Sequence, residues 1–467
     1  MRRSLITVLA LTLGVSPGVS RETEPVGRRP IAVLDEMIRH AEPGGRVRPP
    51  AGIYEGNLVI RKPVVLDGGA GVVIDGLGEG TVVDVLADDV TIRGCVIRNS
   101  GSNVTGEPSG VRVFAANAVV ESNVIEDALI GIDLREAPNA IIRDNTIACK
   151  DLEPGRRGDG IRLWWSHGCL VEGNTVRRSR DMVFWYSEDL RIVGNTITQS
   201  RYGLHFMYSH GSVLEANDLL DNSVGVYLMY SNRITLRGNR MRNNRGASGY
   251  GIGLKDCDDI ELVGNVFLAN RVGVYLDNSP SSIGSTGVFD ANMIAFNEIG
   301  LLATPNTHDN VFTGNAFVEN EEPAATHGRG RLVSNSFARD GVGNYWSDYA
   351  GFDLDADGIG DLEYAPQSLF GAMLADNPNL RLFVHSPAQQ AIEFTSRALP
   401  ELRPEPTLID PSPLTAPPEL ELSIGGNSGS RLGMGLLAGA LLAVAGACAA
   451  LLGRDRALPV ALRGGHP

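Results

Sequence analysis

Two methionines 22 residues apart, Met207 and Met229, close the phrases Tyr202-Gly203-Leu204-His205-Phe206-Met207 and Val224-Gly225-Val226-Tyr227-Leu228-Met229. If Val226, Leu228 and Tyr230 face inward on a strand, alternation turns Tyr227 and Met229 outward, and the preceding phrase presents His205 and Met207 likewise. Thioethers and imidazole are soft ligands suited to Cu(I). An exposed apolar column of this kind, flanked by Trp164, Phe184 and Tyr186, also has the make-up of a protein docking surface. Docking is the favoured reading over a metal site. A ladder that simply packs under a loop is the structural alternative.

A second group is harder chemistry. Asp353-Leu354-Asp355-Ala356-Asp357-Gly358-Ile359-Gly360-Asp361 sets carboxylates at alternate positions with glycine at the sharp turn, as the opening of a calcium loop does. Hard oxygen ligands favour Ca²⁺ over copper. The closing twelfth position is Tyr364, and Glu363 stands one place early, so Asp353, Asp355, Asp357 and Asp361 would form an incomplete set or one completed from elsewhere. Asp133, Asp159, Arg162 and Asp181 form a third, scattered group without an evident compact arrangement. An enzyme acting on a uronic-acid polymer would need a base, an acid and a cation for the sugar carboxylate. A uronan epimerase or lyase is therefore the alternative reading, and a non-enzyme is expected.

The elements that carry these residues follow from a repeat. Asn123, Asn145, Asn174, Asn195, Asn217, Asn239, Asn265, Asn292, Asn315 and Asn335 are separated by 22, 29, 21, 22, 22, 26, 27, 23 and 20 residues. The unit is about 22 residues with occasional loop insertions, which is the mark of a solenoid. Gly131, Gly160, Gly203, Gly225 and Gly251 each precede a repeat asparagine by 14 residues, and the stretch after each glycine alternates with a period of two. These are short strands. Stacked at about 4.8 Å they place identical side chains above one another, and stacked asparagine amides bond from coil to coil. The fold expected is all-β, a right-handed parallel β-helix. Ile31, Leu34 and Ile38 at helical spacing predict a short helix capping its N-terminal end.

Both ends of the chain read as export and membrane signals. Arg2 and Arg3, an apolar run from Leu5 to Val15 and small residues near Ser20 predict a signal peptide over 1–20. The uncharged run 432–452 has the length of a transmembrane helix, and Arg454, Arg456 and Arg463 beyond it predict a cytoplasmic tail over 453–467. The body would then be periplasmic and tethered to the inner membrane. The β-helix is expected over 21–340, a C-terminal cap with the acidic loop over 341–399, and an extended Pro/Gly-rich linker over 400–431. A formal charge of −14 argues against nucleic acid. The five cysteines include no CxxC pair and read as small core side chains rather than a disulfide framework or a zinc site.

Three phrases are more specific than the repeat: Arg201-Tyr202-Gly203-Leu204-His205-Phe206-Met207-Tyr208-Ser209-His210, Gly225-Val226-Tyr227-Leu228-Met229-Tyr230-Ser231, and Tyr250-Gly251-Ile252-Gly253-Leu254-Lys255-Asp256. With Gly343-Asn344-Tyr345-Trp346-Ser347-Asp348-Tyr349 and Leu408-Ile409-Asp410-Pro411, the chain resembles the NosD family of nitrous oxide reductase maturation proteins over roughly residues 29–415. The resemblance implies a periplasmic assembly factor for the copper-sulfide centre of nitrous oxide reductase. It also implies as partners an ABC transporter permease and ATPase, a copper-chaperone lipoprotein and the reductase itself, with copper handled transiently if at all. No P-loop frame surrounds any of the lysines Lys62, Lys150 and Lys255, in keeping with a partner that supplies ATP hydrolysis. The segment Asp181-Met182-Val183-Phe184-Trp185-Tyr186 departs from the family where a glycine-containing strand is expected, and Arg162 stands where histidine is expected.

Overall fold

The protein is described from a computed structural model covering residues 27–328 and 330–419. Each coil is three short strands joined by tight corners, as in Tyr202–Met207, Val213–Glu215 and Asp218–Leu220. Each strand pairs in parallel with its counterpart one coil later: Tyr202–Met207 with Val224–Met229, Val213–Glu215 with Asn232–Arg237, and Asp218–Leu220 with Arg240–Arg242. The first strands of the coils form one sheet of twelve, running from Leu58–Ile60 to Glu322–Thr326.

Alternation places Leu204, Phe206, Leu214 and Leu219 inside, all fully buried, and each lies above its equivalent in the next coil. Interior aromatics stack along the axis, Phe184 on Phe206 at 4.7 Å and Phe289 on Phe312 at 4.5 Å. The result is one continuous core from Leu34 to Leu408. Burying a side chain of this size contributes about 1.5–3 kcal/mol, which offsets the entropy of ordering so many short strands. Cys95, Cys149, Cys169 and Cys257 are free, buried members of that core.

The asparagine ladder turns one corner. Asn195 donates from both its backbone N and its Nδ2 to Oδ1 of Asn217, at 3.0 Å each, and Asn217 does the same to Asn239 at 3.0 and 2.9 Å. Each Nδ2 also reaches a backbone carbonyl, that of Val171 for Asn195 and Ile192 for Asn217, so a corner that would orphan polar groups is fully bonded. The ladder runs from Asn123 to Asn315 as the repeat predicts, but its last asparagine is Asn344, not Asn335. Asn335 instead accepts from Asn310 at a different corner, because the coil after Asn315 is lengthened by a turn and the 20-residue interval does not track it. A second ladder, Asn222, Asn244, Asn270, Asn297 and Asn320, escaped the repeat reading.

The helix Ile31–His40 covers the N-terminal end with Leu34 and Ile38 buried. At the other end stand the helices Leu369–Asp376 and Pro387–Ala398. Residues 407–415, expected to be part of an extended linker, pack back on the solenoid. Leu408 and Asp410 are fully buried, and Asp410 bridges Tyr364 while Leu414 bridges Tyr345 and Ile359. Proline limits a segment's own hydrogen bonding without preventing its side chains from filling an open end. The expected signal peptide, transmembrane helix and cytoplasmic tail lie outside the described residues. Among the described residues no helix is long and apolar enough to cross a membrane.

Candidate functional site: an aromatic and thioether face beside a buried charge lattice

The outward side of the twelve-stranded sheet carries the candidate residues in columns. One column runs Trp164, Trp185, Met207, Met229 and Lys255 in successive register. Met207 and Met229 are thus direct neighbours, as alternation predicts. The column beside it runs Arg112, Asp133, Arg162, Val183, His205 and Tyr227.

Two expected positions are overturned. Phe184 faces the interior and is fully buried against Phe206, because Asp181–Trp185 sets Met182 and Phe184 inward and Val183 and Trp185 outward. Trp185 holds the surface place assigned to Phe184. Tyr230 is not inward either. It adopts φ 51° at the corner, as do Trp165 (50°), Tyr186 (52°) and Tyr208 (52°), and this left-handed turn breaks the strand alternation.

These four corner residues form an outer aromatic ladder. Trp165 stacks on Tyr186 at 5.1 Å, Tyr186 on Tyr208 at 5.3 Å, and Tyr208 on Tyr230 at 5.0 Å, all within 14° of parallel. Trp164 meets Trp185 and Tyr186 edge-on at 5.8 and 5.4 Å. Trp164, Trp165 and Tyr208 remain 38%, 49% and 42% exposed, so the face is not covered by any loop of the described chain. The same corner is left-handed in neighbouring coils at Glu136 (51°), Asp256 (48°) and Asn278 (50°), so the conformation belongs to the solenoid turn, and what sets these four coils apart is the aromatic side chain placed there. The serine after each aromatic secures the corner: Ser166 N donates to Ser187 Oγ at 3.0 Å, Ser187 N to Ser209 Oγ and Ser209 N to Ser231 Oγ at 3.1 Å. The signal for this ladder is in the sequence, as the repeated aromatic-serine pair of Trp165-Ser166, Tyr186-Ser187, Tyr208-Ser209 and Tyr230-Ser231.

His205, expected at the surface, is 6% exposed. Tyr202, Trp185 and Tyr227 wall its ring at 4.9, 5.5 and 6.4 Å. Its Nδ1 lies 3.4 Å from Oδ2 of the fully buried Asp181, while Nε2 has no partner; neither has the buried Nε1 of Trp185. Burial would raise the Asp181 carboxyl, but hydrogen bonds from His205 and Arg201 and the Arg201 charge outweigh it and hold it below the usual range. In a neutral ring, the Asp181 carboxylate favours the tautomer with hydrogen on Nδ1, which puts the lone pair on Nε2.

The scattered acidic and basic residues do assemble. Arg162 donates to Asp133 at 2.8 and 2.9 Å and to Glu107 at 2.8 and 3.1 Å, Arg135 spans the same two carboxylates, Arg180 pairs with Asp159 at 3.2 Å, and Arg201 grips Asp181. Four carboxylates and four guanidinium groups balance, so the lattice is neutral overall. Asp159, deep in it, is pushed up to about 6 by burial, with Asp181 and Asp133 adding to the rise against Arg180 and Arg162.

In the acidic loop, carboxylate oxygens of Asp353, Asp355 and Asp357 lie within 4.8 Å of one another. Asp361 is turned to a different task, accepting from Leu354 N at 2.7 Å, and Asp353 Oδ1 is buried without a partner.

Residues 148–351 match the family described as periplasmic copper-binding protein (NosD), and residues 70–197 match the right-handed β-helix region. A Pseudomonas aeruginosa protein named probable ABC transporter binding protein NosD is 34% identical over 404 residues, 83% of this chain and 92% of its own length. The chain belongs to the NosD family. A Stutzerimonas stutzeri protein of the same name is 31% identical over 81% of this chain and 88% of its own. NosD proteins are thus a periplasmic family whose members are named for an ABC transporter, and the solenoid is right-handed.

Among solved structures, the A-module of mannuronan C-5 epimerase AlgE6 from Azotobacter vinelandii aligns over 66% of this chain and 94% of its own, with a TM-score of 0.51 at 15% identity. That likeness is one of fold. The copper of the NosD description is compatible with the donors present: an orphaned imidazole nitrogen beside two register-paired thioethers is a soft set, and the free cysteines are buried in the core.

Proposed function

We propose that this NosD protein assists assembly of the copper-sulfide centre of nitrous oxide reductase in the periplasm. It would act with an ABC transporter permease and ATPase and a copper-chaperone lipoprotein. Family membership supports the setting. The observation that carries the reading is the face built from Trp164, Trp165, Trp185, Met207, Tyr208, Met229 and Tyr230, an apolar surface in which Trp164, Trp165 and Tyr208 are exposed and the others half-buried. Aromatic and methionine side chains bury much area at small entropic cost, which suits a surface that engages folded partners and releases them. Copper is cargo here rather than a resident cofactor.

A tether through 432–452 would keep the body near the transporter. The carboxylates of Asp353, Asp355 and Asp357 would take Ca²⁺ as a structural ion, with Asp353 Oδ1 the least satisfied ligand. The uronan-enzyme alternative is weakened by the lattice itself: Arg162, Arg180 and Arg201 are each committed to carboxylates of this chain, leaving them poorly placed to neutralise that of a sugar.

The deciding experiment purifies nitrous oxide reductase from cells lacking only this chain and from a complemented strain, and measures copper and sulfide. Loss confined to the copper-sulfide centre and restored by complementation is expected. A fully loaded reductase from the deletion strain would refute the reading and direct attention to uronic-acid polymers.

A further inference from the structure

Resting on that reading and going one step further, we propose that His205, Met207 and Met229 together hold one Cu(I) ion, with Asp181 as the residue that positions the imidazole. The His205 side chain is 8% exposed, and its Nε2 meets no donor or acceptor. A buried polar atom without a partner is rare in a folded protein and calls for an occupant. Asp181, itself fixed by Arg201 through Nε at 2.9 Å, faces the other ring nitrogen. A carboxylate behind one nitrogen and a free lone pair on the other is the arrangement that orients metal-ligating histidines.

The sulfur ligands lie next to it. His205 and Met207 are two residues apart on the outward side of Tyr202–Met207, about 7 Å between Cα atoms, and Met229 is the register partner of Met207, about 4.8 Å away. Methionine has three freely turning bonds, so both sulfurs can converge on the imidazole without moving the sheet. One nitrogen and two thioethers in a low-coordinate, water-poor setting suit Cu(I). Zinc and calcium are disfavoured, because the nearest carboxylate is already shared between Arg201 and His205. Trp185, Tyr202 and Tyr227 surround the ring and would shield the ion from water and oxygen. The ion binds as Cu(I) to neutral donors, with no change of oxidation state and no proton released.

The test is an anaerobic titration of the full-length chain with Cu(I) against a chromophoric Cu(I) chelator, followed by X-ray absorption. One equivalent bound, with one nitrogen and two sulfur neighbours and quenching of tryptophan emission, is expected. Met207→Leu with Met229→Leu keeps the volume and removes the sulfurs. That variant and His205→Asn should lose the equivalent while melting within a few degrees of the parent, and Asp181→Asn should weaken it about 10–100-fold. A folded parent that takes up no Cu(I), or a double leucine variant that binds it unchanged, overturns the site and leaves the pocket to a buried water. The two proposals separate cleanly. A copper-deficient reductase in the deletion strain with no Cu(I) bound here removes the site and keeps the assembly role; a loaded reductase with Cu(I) bound here does the reverse.

Discussion

Asp410 stands to Asn344 as each ladder asparagine stands to the one before it. Its Oδ2 accepts from Asn344 N at 2.8 Å and from Asn344 Nδ2 at 3.2 Å, the two bonds that Asn344 Oδ1 accepts from Asn315. The same oxygen also accepts from Trp346 Nε1 at 2.9 Å. A residue more than sixty positions downstream therefore supplies the final rung and closes the polar corner.

Asp410→Ala should destabilise the C-terminal coils by about 2–4 kcal/mol, since it leaves the buried Asn344 N and Trp346 Nε1 without an acceptor, while Asn344 Nδ2 keeps the carbonyls of Phe312 and Phe337. Asp410→Asn keeps an acceptor and should cost far less. Urea unfolding of both variants decides the matter: equal costs would mean the rung is not what the carboxylate contributes.

Within the ladder, Asn217→Ala removes the acceptor of Asn195 and the donor to Asn239 and Ile192 together. A loss of about 3 kcal/mol is expected, with hydrogen exchange accelerated in the coils on both sides of residue 217. Exchange confined to one coil would argue that rungs act independently.

Trp164→Ala and Phe184→Ala should part company. Phe184 is wholly inside and its truncation should cost about 3–5 kcal/mol. Trp164 is 38% exposed, so its truncation should leave the melting temperature within a few degrees and lower copper loading of the reductase in cells. Normal loading with the Trp164 variant would remove this side chain from docking.

Glu322 gives a pH test. Burial pushes its carboxyl from 4.5 up to about 7, opposed by Arg381, whose nearest nitrogen is 3.6 Å away. A carboxyl raised in the folded state binds its proton more tightly there, so its contribution to stability is full below about 4.5 and is lost as pH rises through about 7. The side chain keeps 25% of its surface exposed, so the span is reduced by solvent to about 1–2 kcal/mol. Glu322→Gln should flatten that slope in melts between pH 4.5 and 8; an unchanged slope would place the titration elsewhere.

Calcium should raise the melting temperature of the parent and not of an Asp353→Asn, Asp355→Asn variant, whose carboxylates converge with Asp357. Identical melts in calcium and in chelator would leave the loop an ordinary acidic turn.

What the sequence made legible followed from strict periodicity. The parallel coils, the Met207–Met229 register pairing and the ladder from Asn123 to Asn315 each depend on residues recurring at one place, and the cap over Ile31–His40 on apolar residues at helical spacing. What escaped depends on corners and distant returns. Tyr230 lies one residue beyond the alternating stretch, where the backbone turns left-handed and strand parity stops applying. Phe184 was misplaced because Asp181–Trp185 lacks the glycine that marks register in neighbouring coils. His205 reads as exposed along its own strand, and only the rings from three directions bury it. Nor can spacing show that residues 407–415 fold back, since the contact is made across a cap with no repeat.

Because every coil adds one strand spacing, the solenoid also works as a ruler. Three further strands, Tyr250–Lys255, Val272–Asp277 and Ile299–Ala303, stand between the Met229 strand and the last strand of the sheet, Glu322–Thr326, which places the two about 19 Å apart at the usual strand spacing. Deleting one whole coil from that interval would draw the thioether pair toward the C-terminal cap by about 4.8 Å while leaving both ends chemically intact. The coil number thus sets how far apart two surfaces can engage a partner at once, a dimension that evolution can change in fixed steps without redesigning either surface.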